Sequence, residues 1–252
     1  MIFGRKKRPA EAEQSRPATE VVDKRIAEEV DDRPAEAEAR PEVTPIEAQA
    51  ALWDAEFDRD WGPFDIEEVD LEADADEVQR LDLGTLVLTP FEGMSLQLQV
   101  NKDTNIVQSL LVGDGNQSAL EVAVFAGPGK SSMVPEIRSE IIRATQQQKG
   151  RIELVEGPFG AEVRRSLPMT DPNGNPAMHV SRTWLVPGPG WVLRGVLLGK
   201  ATFEPTNEDI QVALREFFSA LVVRRGTAPA APGSLLPMTV PQQAQQQAAQ
   251  ED

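Results

Sequence analysis

The stretch Trp191-Val-Leu-Arg-Gly-Val-Leu-Leu-Gly199 constrains the fold more than any other part of the chain. Read as a strand, its successive side chains face opposite ways. Trp191, Leu193, Gly195 and Leu197 fall on one face, and Val192, Arg194, Val196 and Leu198 on the other. Both faces are apolar, the pattern of an interior strand covered on both sides. Arg194 is the exception. A guanidinium among apolar neighbours needs a carboxylate or several carbonyls, because burying it unpaired is very costly. Glu162, Glu121 and Glu136 are the candidate partners, and Glu162 is the expected one because it lies in a neighbouring predicted hairpin. Alternatively, Arg194 lines a pocket for an anionic ligand.

The elements around this strand follow from pattern and turn chemistry. Strands are expected over 83–88, 94–100, 106–112 and 119–126, and the second alternates cleanly, with Met94, Leu96, Leu98 and Val100 inward and Ser95, Gln97 and Gln99 outward. A helix is expected from about Ser132 to Gln147, capped by Ser131 or Ser132, with Pro135 in its first turn and Gly150 at its end. Strands over 151–155, 161–167 and 178–186 precede the Trp191 run, and Asp171-Pro-Asn-Gly-Asn-Pro176 is a strong turn. A second helix spans 208–221, capped by Thr206 or Asn207, with Ile210, Leu214, Phe217, Phe218 and Leu221 as its stripe. Val222 and Val223 add a short strand. Short turns between sequential strands imply antiparallel pairing. The expected class is therefore α+β: a mainly antiparallel curved sheet with two packed helices, flanked by disordered arms.

Charge is spread unevenly. The net charge is −16, and residues 1–80 hold 24 acids and 11 bases, whereas the remainder is nearly balanced. Residues 1–48 are rich in Glu, Ala, Pro and Arg and cannot bury enough apolar surface to offset chain entropy, so they read as a disordered arm. Its basic start, Arg5 to Arg8, reads as part of a solubilising tail, with weak attraction to an anionic membrane or nucleic acid as the alternative. Residues 49–80 form an acidic docking segment and linker. There Trp53, Phe57 and Trp61 recur every four residues, which would align them on one face of a helix ended by Gly62-Pro63, with Phe64 following. Large aromatics among acids read as a docking motif, used either in cis against the folded domain or in the groove of a protein partner. A single α+β domain is expected over 81–228. A Pro- and Gln-rich disordered tail is expected over 229–252, in which Leu235-Leu-Pro-Met238 packs back on the domain.

These motifs in their order resemble an uncharacterised actinobacterial family, domain of unknown function 3710. The matching pieces are Gly62-Pro-Phe-Asp65, Leu81-Asp-Leu-Gly84, Phe125-Ala126 and the helix with Glu136-Ile-Arg138. Glu156-Gly-Pro-Phe-Gly-Ala-Glu162, Trp191-Val-Leu-Arg-Gly195, Val222-Val-Arg224 with Gly226, and Leu236-Pro237 follow. The resemblance runs from about residue 81 to 241. It implies one compact domain and transfers no catalytic residue. The turn Pro187-Gly-Pro-Gly190 departs from the family's Asp-Gly-Pro-Arg type, so no role for that arginine carries over.

Several chemistries are excluded. The chain has no cysteine, so disulfides, thiolate nucleophiles and cysteine-ligated metals are out. His179 is the sole histidine, on a predicted strand with Ser181 and Thr183 on its own face, and no Gly-x-Ser-x-Gly elbow accompanies it. Gly127-Pro-Gly-Lys-Ser-Ser132 precedes a helix as a phosphate loop would, but the first glycine of such a loop falls at Val124. Glu136 and Glu140, beside Arg138 and Arg143, read as a solvated helix face. No cofactor or metal is expected. General nucleic-acid binding and membrane association are not expected either, since there is no basic face and no long apolar span. The expectation is a non-catalytic, cytoplasmic binding or adaptor domain with interaction motifs in its arms. The alternative is a small anionic-ligand-binding or enzymatic domain with a pocket around Arg194.

Overall fold

The computed structural model describes Gly4 and Arg5 as backbone and residues 44–240 apart from 105, 114, 116 and 204–207. The arm expected over 1–48 therefore lies almost wholly outside the described residues, as do residues 241–252 and the expected cap Thr206 or Asn207. In chain order the elements are β1 (Gly4–Arg5), α1 (Pro45–Glu56), β2 (Phe64–Asp65), β3 (Val69–Asp70), β4 (Leu81–Asp82), β5 (Leu86–Leu88), β6 (Ser95–Asn101), β7 (Ile106–Gly113) and β8 (Ser118–Ala126). Then come α2 (Val134–Gln147), β9 (Arg151–Gly157), β10 (Gly160–Thr170), β11 (Pro176–Gly188), β12 (Trp191–Gly199), α3 (Glu208–Ser219) and β13 (Val222–Val223).

Seven strands make one antiparallel sheet in the order β6-β7-β8-β12-β11-β10-β9. The Trp191–Gly199 run is the middle strand, where two meanders meet: β12 pairs with β11 on one side and β8 on the other. Its period of two assigns the faces. Leu193 and Leu197 join Leu120, Val122, Val124, Trp184 and Val186 in the main core, against Leu214, Phe217 and Phe218 of α3. Leu86, Leu88 and Val223 close that core from a second, four-stranded sheet, ordered β2-β13-β5-β4. On the other face Val192 and Leu185 meet Val134 of α2. Ala161 and Val163 of β10 meet Leu154 of β9 and Ala50 of α1. The fold is α+β, with helices on both faces of an antiparallel sheet.

Gly195 shows how tightly α3 is set. A Cβ there would stand 2.6 Å from the Phe218 ring, so only glycine lets that ring rest on the middle strand. One boundary differs from the sequence reading: that of the helix in the aromatic segment, which is α1. α1 starts at a capping box, in which the Glu47 amide donates to Thr44 Oγ1 and the Thr44 amide donates to the Glu47 carboxylate. It ends at Phe57, whose backbone is extended. Phe57 and Trp61 therefore leave the helix, and their four-residue spacing belongs to a turn in which the Asp60 amide donates to Asp58 and the Gly62 amide to the Arg59 carbonyl. In the tail expected from residue 229, residues 229 and 231–233 are exposed, and the chain meets the sheet at Leu235–Met238. Leu235 bridges Phe125 and Met238 bridges Val107, with Leu236 and Met238 buried. Burying each such side chain is worth about 1.5–3 kcal/mol, enough to hold a short extended segment on the sheet.

Candidate functional site

The aromatic segment divides its residues between core and solvent. Trp53 packs beside Ala50, Leu154 and Ala161. Phe57 meets Phe159 edge to face at 5.9 Å. Phe64 sits in β2 beside Val69, Val87 and Val222. Trp61 alone of the four points outward, 77% exposed.

Three polar anchors hold this segment. Asp54, near the end of α1, accepts from Arg138 Nη2 at 2.6 Å and from the Ala161 amide at 2.9 Å, tying α1 to α2 and to the tip of the β9–β10 hairpin. Arg59 donates to both carboxylate oxygens of Glu68 at 3.0 and 2.6 Å and to the Pro63 carbonyl at 3.0 Å, with its guanidinium 5.3 Å from the Trp191 ring centroid. Buried Asp65 accepts from Trp191 Nε1 at 2.7 Å. The turn is thus fixed on either side of Trp61, and the neighbouring carboxylates Asp58 and Asp60 are exposed.

Arg194 and Glu162 are not brought together. Glu162 accepts from the Trp184 side chain, and Trp184 lies opposite Gly195, so Glu162 belongs to the α3 face of the sheet. Arg194 is one residue off that row and projects from the α2 face. A shift of one residue in a strand reverses the side, which is why the expected pair cannot form. Arg194 instead donates to Glu121 at 3.2 Å, with both side chains about a third exposed (30% and 32%), and its guanidinium lies 5.1 Å from the Phe125 ring centroid. Glu162 is fully buried and accepts from Arg182 Nε at 2.8 Å and Nη2 at 3.1 Å, Arg164 Nε at 2.9 Å and Trp184 Nε1 at 2.7 Å. The sequence carries only the alternation of Arg182 and Trp184 on one predicted strand face as a signal for this cluster. The pairing of β10 with β11 that assembles it is non-local.

The remaining sequence candidates are ordinary in placement. His179 lies on β11 opposite Leu167. Lys130 and Ser131 are exposed ahead of α2, whose Val134 amide donates to Ser132 Oγ at 3.1 Å. Glu136 and Glu140 are exposed. Among the described residues no three His, Asp or Glu side chains are grouped to hold a metal ion, and no helix is long and apolar enough to cross a membrane. A shallow cavity of about 460 Å³ near the end of α2 is lined by Lys149, Arg151, Ser166, Pro168 and Met178.

The chain belongs to the family described as Protein of unknown function (DUF3710), whose family model matches residues 62–247. No curated protein matches it. A crystal structure from Bacteroides thetaiotaomicron VPI-5482 is similar at 11% identity and a TM-score of 0.36, over 60% of this chain and 50% of that one, so this chain spans half the length of that protein. The solution structure of cyanobacterial PsbP (CyanoP) from Synechocystis sp. PCC 6803 is similar at 10% identity and a TM-score of 0.35, over 58% of this chain and 92% of that one. At those scores neither likeness bears on fold or function.

Proposed function

We propose that this member of the DUF3710 family is a non-catalytic binding module that docks a protein partner through the turn carrying Trp61. The observation that carries the reading is a large indole, 77% exposed, on a turn anchored at both ends. A soluble surface gains nothing from an isolated exposed tryptophan, whereas interfaces concentrate binding energy in that residue. Anchoring lowers the conformational entropy lost on docking. The exposed carboxylates Asp58 and Asp60, both just ahead of Trp61, imply a partner with an apolar socket and a basic rim. Trp53, Phe57 and Phe64 then serve the docking segment in cis, holding the turn against the domain. The protein acts in the cytoplasm in this reading, which a cysteine-free chain permits.

The test is affinity purification of the full chain from its native cell beside Trp61→Ala. The expected result is one stoichiometric partner lost with the variant while the thermal midpoint stays within about 2 °C, as for a surface substitution. Retention of every partner by the variant overturns the reading. So does a large fall in the midpoint, which would mean that Trp61 packs within its own chain.

A further inference from the structure

We propose that the outer edge of β6 is an interaction surface for a second copy of this chain, the two β6 strands pairing antiparallel about a two-fold axis at Leu98. The surface is independent of the Trp61 reading and uses other residues. The seven-stranded sheet ends at β6 on one side and at β9 on the other. Among the described residues no backbone group bonds to the outer side of β6. An edge strand offers its unpaired N–H and C=O groups to any chain able to pair with them, and proteins commonly guard such edges with charge. β9 follows that rule, with Arg151, Glu153 and Glu156 along it. β6, Ser95-Leu-Gln-Leu-Gln-Val-Asn101, carries no charge, in a chain whose net charge is −16.

The strand is also regular, and the core behind it is open. The irregularity in its pairing with β7 lies in β7, where Gln108 has no opposite residue, so β6 itself gains no extra residue. Met94, Leu96 and Leu98 pack against the main core but are only partly buried, and Val100 is 43% exposed. They follow one another by twos, so they share one side of the strand. A further strand laid along this edge would cover that row.

The occupant has to alternate apolar and uncharged polar residues. Outside the described residues the chain itself has no such stretch. Residues 241–252 hold no large apolar residue, and residues 6–43 set Val21, Val22, Ile26, Val30 and Val43 among acids and bases without alternation. The β6 strand of a second copy has the pattern required. With Leu98 opposite its own copy, Leu96 meets Val100, Gln97 meets Gln99 and Ser95 meets Asn101. Every apolar residue then faces an apolar one, and the nearest charges, Glu92 and Lys102, fall outside the paired stretch. A strand pair of roughly 24 Å is a small interface beside the standard ~800 Å² per partner, so the dimer is weak, with a Kd on the order of 10–100 μM.

The experiment is sedimentation equilibrium of the full-length protein from about 5 to about 500 μM, at low and high salt. The proposal predicts a monomer–dimer equilibrium that strengthens with salt, because added ions screen the repulsion between two acidic copies. Amide exchange in β6 should slow as concentration rises, while that in β9 does not change. Gln97→Lys with Gln99→Lys sets lysine against lysine at two places and should weaken association at least about tenfold, although it lowers the net negative charge. Gln97→Lys with Gln99→Glu sets lysine against glutamate at the same places and should bring association back to within about threefold of the parent. Both glutamines are exposed, so both variants should keep the thermal midpoint within about 2 °C. Trp61→Ala should leave the dimer unchanged, which separates this edge from the docking turn. A chain that stays monomeric throughout, or a dimer that survives the two lysines, overturns the proposal. So does β6 exchange that is equally slow at every concentration, since a segment of the same chain would then cover the edge. A lysine–glutamate variant that associates no better than the double-lysine one overturns the antiparallel register.

Discussion

Replacing Glu162 with glutamine should be among the most damaging single-atom changes in the molecule. The carboxylate is fully buried and takes four donors. Glutamine keeps the volume and one acceptor oxygen, which can still satisfy Trp184 Nε1. It cannot neutralise Arg182, whose residue is only 7% exposed. Breaking a buried ion pair by removing the charge of one partner costs about 3–5 kcal/mol, a large part of the roughly 5–15 kcal/mol of a whole domain. Arg164 adds little to the loss, since its side chain stays 31% exposed and hydrated. In a chain of this size the thermal midpoint should fall by roughly 6–20 °C. Urea denaturation followed by both circular dichroism and tryptophan fluorescence measures the change and checks that unfolding is two-state. The double variant Glu162→Gln with Arg182→Met removes both charges of the pair and should recover to within about 1 kcal/mol of the parent. If Glu162→Gln costs less than about 1 kcal/mol, or if the double variant is no better than the single, the buried-charge argument is wrong.

Three smaller predictions follow from other contacts. Gly195→Ala places a Cβ against the Phe218 ring and should cost about 1–3 kcal/mol by chemical denaturation, as overpacking does. Trp191→Phe leaves buried Asp65 Oδ2 without its donor and should lower stability by about 1–3 kcal/mol, with Arg59 losing its indole platform. The third concerns α1. Hydrogen bonds from the Thr44 hydroxyl and amide hold the Glu47 carboxyl below its ordinary 4.5. A depressed folded-state value stabilises above the unfolded one, so the cap is fully present above about pH 5 and is lost as pH falls through the lower, folded value. Amide exchange in the first turn of α1 should therefore accelerate from about pH 6 to about pH 3 beyond the intrinsic rate change, and Glu47→Ala should abolish the excess.

Local features of the fold were legible because they rest on local physics. The bounds of β12 follow from its apolar run between Gly190 and Lys200, and the exposure of β6 alternates as its sequence does from Ser95 to Gln99; Val100, expected inward, is exposed instead because the pairing with β7 shifts register between Gln99 and Val100. The turn at Asp171 forms because that carboxylate accepts from the Asn173 and Asn175 amides. Elements that depend on distant partners were not legible. β2 is two residues long and exists by pairing in parallel with β13, more than 150 positions away. Phe57 and Trp61 keep helical spacing without a helix, because Arg59 commits its side chain to Glu68 and Pro63 and the chain turns there. The partner of Arg194 depends on which side of the sheet each strand presents, and two plausible registers differ by one residue. For the same reason the Glu162–Arg182 cluster was not legible.

The docking claim is tested most directly by placing a photo-reactive amino acid at position 61 of the full-length protein in the cell that makes it. The account predicts one dominant cross-linked protein, whose contacting segment pairs an apolar socket with lysines or arginines, and whose capture is lost when Asp58 and Asp60 are both changed to lysine. Cross-links confined to the chain itself, or capture unaffected by that charge reversal, would contradict it.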